Sequence, residues 1–122
     1  MSERSKRRSV FVVAVAGQGL AATWQPAADI YRTPSGWLLK FELAGVTRDD
    51  VAVVVCGSRI TIAGIRRDWV IEECCAHYSM EIAYNRFERA VELPCDLANA
   101  RLDVEFRDGI LMVRVTTLGG RP

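Results

Sequence analysis

The 122-residue sequence has no apolar run approaching the roughly 20 residues that a bilayer-spanning helix needs. Its nearest candidate, Val10-Phe11-Val12-Val13-Ala14-Val15-Ala16, is far shorter. No segment of useful length keeps a 3.6-residue apolar period between capping residues, and no internal repeat or low-complexity tract is present, which argues against a helical bundle or a solenoid. There is no glycine-rich phosphate loop and no G-K-[ST] element, so nothing in the chain suggests nucleotide-driven action. A net charge of +1 provides no global field for nucleic acid or membrane. The four cysteines, Cys56, Cys74, Cys75 and Cys95, lack both C-x-x-C spacing and the density of a disulfide-stapled secreted domain. That pattern favours a reducing compartment, with the cytoplasm as the expected location.

Half of the residues are hydrophobic and a quarter are charged, the balance of a soluble globular domain, and the length suits one core rather than two. Residues 1–23 read as an arm: Arg4, Lys6, Arg7 and Arg8 precede the apolar run. A basic start, a short apolar stretch and Ala14-Val15-Ala16 imitate a secretory signal, but Glu3 falls within the positive region. An extra edge strand and a mobile apolar arm are the other readings of this segment.

From Trp24 onward the pattern is that of strands. Asp29 to Arg32 ends at Pro34-Ser35-Gly36, and Trp37 to Leu43 then runs apolar with Lys40 and Glu42 on its other face. Val51, Val53 and Val55 share a face, Gly57-Ser58 turns the chain, and Ile60 and Ile62 share a face before Gly64. Ala52 and Val54, on the outward side, are also apolar, which a solvated sheet does not predict. Residues 65–85 read as a long loop carrying a short strand. Phe87 to Leu93 forms a strand closed by Pro94, and Leu102, Val104 and Phe106 alternate with Asp103 and Glu105. Asp108-Gly109 then turns into Ile110 to Val115. The expected fold is all-β, an antiparallel immunoglobulin-like β-sandwich over residues 24–116, with a short tail at 117–122.

Five blocks in order resemble the α-crystallin domain of the small heat-shock proteins: Glu42-Leu43-Ala44-Gly45-Val46, Asp49-Asp50-Val51, Ile60-Thr61-Ile62-Ala63-Gly64, Glu81 through Pro94, and Val104 through Leu111. The sequence departs from the family pattern at Ile82, where arginine is usual, at Asn85 for glycine and at Val104 for alanine; asparagine tolerates positive φ, so Asn85 need not move the backbone. Thr116 to Pro122 holds no I-x-I motif, which the family uses in building large shells, and Val113-Arg114-Val115 fits it only inside a strand.

The resemblance implies an ATP-independent holdase without catalytic residues, cofactor or metal, whose partners are unfolding client proteins and a second copy of itself in a homodimer or small oligomer, with no nucleic acid and no membrane span. Expected client contacts are Val10, Phe11, Val12, Val13 and Val15 in the arm, and Val51, Val53, Val55, Leu102, Val104 and Phe106 along a groove between two strands. Expected dimer contacts are Trp69, Val70 and Ile71, or alternatively the segment of His77, Tyr78 and Met80, together with Arg89. Two other functions fit the residues. One is a co-chaperone-like sandwich docking on a single partner. The other is a thiol- or metal-dependent enzyme built on Cys74, Cys75 and His77, although adjacent cysteines seldom both ligate one tetrahedral ion, a fourth ligand is missing and no orienting third group is evident. Cys56 and Cys95 read as small packing residues near strand ends, and Arg66-Arg67 as solvated charge.

Overall fold

The computed structural model describes residues 24–68 and 75–117. Seven strands follow one another: β1 (Ala28–Thr33), β2 (Gly36–Glu42), β3 (Val51–Cys56), β4 (Arg59–Arg66), β5 (Asn85–Glu92), β6 (Arg101–Arg107) and β7 (Ile110–Thr116), with one 3-10 turn at Arg48–Asp50. They form a four-stranded sheet, ordered β1-β2-β7-β6, and a three-stranded sheet, β3-β4-β5, every neighbouring pair antiparallel. This is the expected sandwich.

The turns lie where their residue types require. Thr33 pairs with Gly36 across Pro34-Ser35, Cys56 with Arg59 across Gly57-Ser58, and Arg107 with Ile110 across Asp108-Gly109, so each hairpin has a two-residue loop. Asp108 and Gly109 both take positive φ, 52° and 82°, as a mirror-image turn demands. Asn85 enters β5 at φ 73°, the left-handed region that asparagine visits more readily than most residues.

Alternation then decides which side chains meet. On β2 and β7, Leu39 faces Val113 and Phe41 faces Leu111; on β4 and β5, Ile60 faces Val91; all are buried between the sheets. Each such side chain contributes about 1.5–3 kcal/mol of burial. β4 runs past Gly64 to Arg66, beyond the expected stop. Gly64 is a place of close approach rather than a turn: a Cβ there would run into the Asp50 carbonyl and the Phe87 ring. In the described part of the long loop, residues 75–84, no strand forms.

The two blocks that bracket the domain in sequence touch in space. Leu43 N–H donates to the Gly109 carbonyl at 2.7 Å, and a Cβ on Gly109 would sit 3.1 Å from Ala44 Cα. Two sharp turns some sixty residues apart thus interlock at one end of the four-stranded sheet.

Candidate interaction surfaces

The two long sides of the sandwich are finished differently. On one side, residues 24–27 cross from the β5 edge of the small sheet to the β1 edge of the large one. Trp24 forms a parallel bridge with Phe87, Glu88 N–H donates to the Trp24 carbonyl at 3.2 Å, and Glu42 N–H donates to the Ala27 carbonyl at 3.0 Å. The Trp24 ring lies 5.1 Å from the Phe87 ring, and its Nε1–H donates to the Asn85 carbonyl.

Arg66 and Arg89 hold this strap down. Arg66 places its guanidinium 4.3 Å over the Trp24 ring, donating to the carbonyls of Ala83 and Ala44, each at 3.0 Å. It is a clamp joining three segments, not the solvated charge expected from the sequence. Arg67 is also engaged, donating two bonds of 2.9 Å to the Asp50 carboxylate. That bidentate hydrogen bonding is the main reason Asp50 titrates below its ordinary range, partly opposed by loss of solvent and helped by Thr47. Arg89, expected at a dimer contact, donates within its own chain to the Pro26 carbonyl at 3.0 Å.

Since the strap joins the β1 and β5 edges, the other two edges, β3 and β6, flank the opposite seam. Among the described residues each has a single strand neighbour, so its outer backbone N–H and C=O groups have no ladder partner there. Val51, Leu102, Val104 and Phe106 pack partly buried against the core, and Val55 remains 40% exposed. Val53 is different: at 5% exposure it belongs to the core, because it sits mid-strand facing Ile62, and it is removed from the expected client contacts. The loop after β5 closes one end of the seam, with Leu97 N–H donating to the Gly57 carbonyl at 3.0 Å. Cys56, at the end of β3, is exposed rather than a packing residue, whereas Cys95 does pack against the core.

A second apolar surface lies in the long loop. Tyr78, Met80 and Ile82 alternate along the chain at 100%, 50% and 62% exposure. Ile30 and Tyr31 on the β1 edge are also exposed. Ile82 was not among the expected contacts, although its period-two spacing with Tyr78 and Met80 marks it in the sequence. The arm residues Val10, Phe11, Val12, Val13 and Val15 lie outside the described residues, as do Trp69, Val70, Ile71 and Cys74. Cys75 and His77 are exposed, and among the described residues no group of three His, Cys, Asp or Glu gathers to hold a metal ion.

A depression of about 170 Å³ on the outer face of the large sheet is lined by Leu38, Asp103, Glu105, Met112 and Arg114. It is smaller than ordinary ligand pockets, and its carboxylates already face Arg101 and Arg107 at 3.5 and 3.6 Å.

A four-on-three antiparallel sandwich, strapped along one side and open along the other, with exposed alternating apolar residues in a long loop, defines an α-crystallin-type domain. The model of the Hsp20/alpha crystallin family matches residues 29–120, and the chain belongs to that family. It is 28% identical over 90 residues to small heat shock protein C2 of Rickettsia felis, covering 74% of this chain and 58% of that protein. It is 29% identical over 97 residues to spore protein SP21 of Stigmatella aurantiaca, covering 80% and 56%. The chain therefore spans little more than half the length of these relatives. In fold it resembles heat shock protein 16.0 from Schizosaccharomyces pombe, with a TM-score of 0.70 at 23% identity, covering 80% of this chain and 91% of that one. No helix among the described residues is long and apolar enough to cross a membrane.

Proposed function

We propose that this protein is an ATP-independent holdase of the cytoplasm, acting without catalysis, that captures apolar segments of unfolding proteins and slows their aggregation. The observation that carries this reading is the open seam between β3 and β6, where Val51, Val55, Leu102, Val104 and Phe106 keep apolar surface beside two unpaired strand edges. An extended client segment gains main-chain hydrogen bonds from such an edge and side-chain contacts from the apolar residues beneath it. The arm supplies the second contact. Burying one of its valines favours binding by about 1.5–3 kcal/mol, and ordering one backbone residue costs about 1–2 kcal/mol. These terms nearly cancel, which gives the weak, exchangeable contacts that a holdase requires.

Light scattering of a heated model client, with purified protein and no nucleotide, tests the proposal. Scattering falls at a stoichiometric ratio if it is right, and unchanged scattering overturns it. The same reading makes the working unit a homodimer, formed when the loop of Tyr78, Met80 and Ile82 crosses to a partner's exposed β1 edge; this satisfies an open edge and covers an apolar tip together. Replacing residues 69–80 with a short Gly/Ser linker then yields a monomer by multi-angle light scattering, and an unchanged dimer mass places the interface elsewhere.

A further inference from the structure

The outer faces of the two sheets differ in kind. The large sheet turns Asp29, Lys40, Glu42, Asp103, Glu105 and Arg114 toward solvent, the polar complement expected of an antiparallel sheet with one wet face. The small sheet does so only along β5 and at one end. Since Val53, Ile62, Phe87 and Val91 point into the core, alternation turns Arg86, Glu88, Ala90 and Glu92 outward on β5 and Arg59 at the end of β4, whereas Ala52 and Val54 on β3 and Thr61, Ala63 and Ile65 on β4 form an outward strip without charge. Small and β-branched side chains in adjacent registers, Ala52 opposite Ala63 and Val54 opposite Thr61, make the surface flat as well as apolar. Charge is displaced to β5 and to the Arg59–Glu92 pair at one end.

We infer that this face is the docking site for residues 10–16 of the same chain. The point at which the chain reaches the domain argues for that occupant. Trp24, the first described residue, is bridged in parallel to Phe87 and so stands on the β5 edge of this same sheet, close to the end where Asn85 pairs with Arg66. Ala52, Ala63 and Ile65 lie at that end of the face, remote from the Arg59–Glu92 pair, with Glu88 opposite Ala63 and Arg86 opposite Ile65 along the β5 margin. Reach is ample. Eight residues separate positions 16 and 24 and span up to about 28 Å, whereas β5 and β3 stand two strand spacings apart, about 10 Å. Composition also fits, because Val10-Phe11-Val12-Val13-Ala14-Val15-Ala16 is uncharged and rich in β-branched residues, as a flat apolar face requires.

Docking shelters the run until warming or competition releases it. This consequence, unlike the docking itself, rests on the holdase reading, in which the same run contacts clients.

The test uses the full chain with benzoylphenylalanine in place of Phe11, irradiated and mapped by mass spectrometry, in an equal mixture of light and heavy-nitrogen-labelled protein. Cross-links to residues 52–65 within one isotopic species are expected, and Ala63→Lys lowers their yield about tenfold, because a lysine ammonium opposes apolar contact. Thr61→Lys serves the same purpose if Ala63→Lys fails to give the parent circular dichroism. Cross-links to β1 or β6, cross-links between isotopic species, or a yield indifferent to a folded lysine variant would overturn the proposal. Client scattering is read on the same samples: loss of protection with cross-links intact counts against the holdase reading alone, and protection with cross-links off the face counts against docking alone.

Discussion

The strapped seam and the open seam are built from different kinds of residue, and only one is tied across. Along the first, Trp24, Pro26, Arg66 and Arg89 bind strap, β4 and β5 into one unit through an aromatic contact, a stacked guanidinium and carbonyl acceptors. Along the second, β3 and β6 carry half-buried valine, leucine and phenylalanine and, among the described residues, backbone without a ladder partner on the outer side. The contrast shows how a small sandwich can be held together with one side left incomplete: closure of one side supports the fold, so the other can stay open. Edge strands are ordinarily a liability.

The largest effect that should break this contrast comes from Phe87, which is 1% exposed and carries the Trp24 ring. Phe87→Ala should cost about 3–5 kcal/mol in urea unfolding, while Val55→Ser on the open seam stays within about 0.5 kcal/mol yet weakens client protection. Equal losses from the two would abolish the distinction between the seams. A smaller loss is expected from Arg66→Met, which keeps the aliphatic stem but leaves the Ala44 and Ala83 carbonyls without their donor. About 1–2 kcal/mol is the scale, and a neutral result would show that the strap holds without its clamp.

The smallest effect sharpens the picture at the 3-10 turn. Asp50 has its folded pKa depressed, chiefly by the Arg67 hydrogen bonds, so its contribution to stability is fully present above the unfolded value and is lost as pH falls through the folded one. Asp50→Asn should therefore be less stable than the parent at pH 7, with the difference shrinking below about pH 4. A difference that stays constant down to about pH 2 would show that the pair contributes through shape and not through charge.

The strands were legible because Ile60 to Ile62 and Leu102 to Phe106 alternate, because Val51 to Val55 is a short β-branched run, and because Pro34-Ser35, Gly57-Ser58 and Asp108-Gly109 punctuate them. The positive φ at Asn85 followed from its residue type. What stayed hidden depends on segments brought together from afar. Gly64 reads as the point where the strand stops, and only the nearby Asp50 backbone reveals it as a contact point within a longer strand. Arg66 looks solvated until Ala44, Ala83 and Trp24 surround it. Val53 shares its face with Val51 and Val55, but depth along a strand depends on the facing sheet, which no local pattern encodes. The candidate surfaces were partly readable: Tyr78 and Met80 stand out by type, and the period-two spacing of Ile82 with them was a signal in the sequence that its exposure bears out.

The sheet order also sets a timetable for synthesis. β3, β4 and β5 are consecutive in the chain and can pair as soon as residue 92 has emerged, whereas β2 must wait for β7, its central partner. From Glu42 to Thr116 is 116 − 42 = 74 residues, which a ribosome adds in about 4–15 s at ordinary rates. For that interval Leu39 and Phe41 lack the strand that will bury them, and the nascent chain passes through the aggregation-prone condition that the finished protein is proposed to relieve in others. Translation speed between β5 and β7 is therefore expected to influence yield. Slowing it should increase the insoluble fraction of this chain before it alters the folded product.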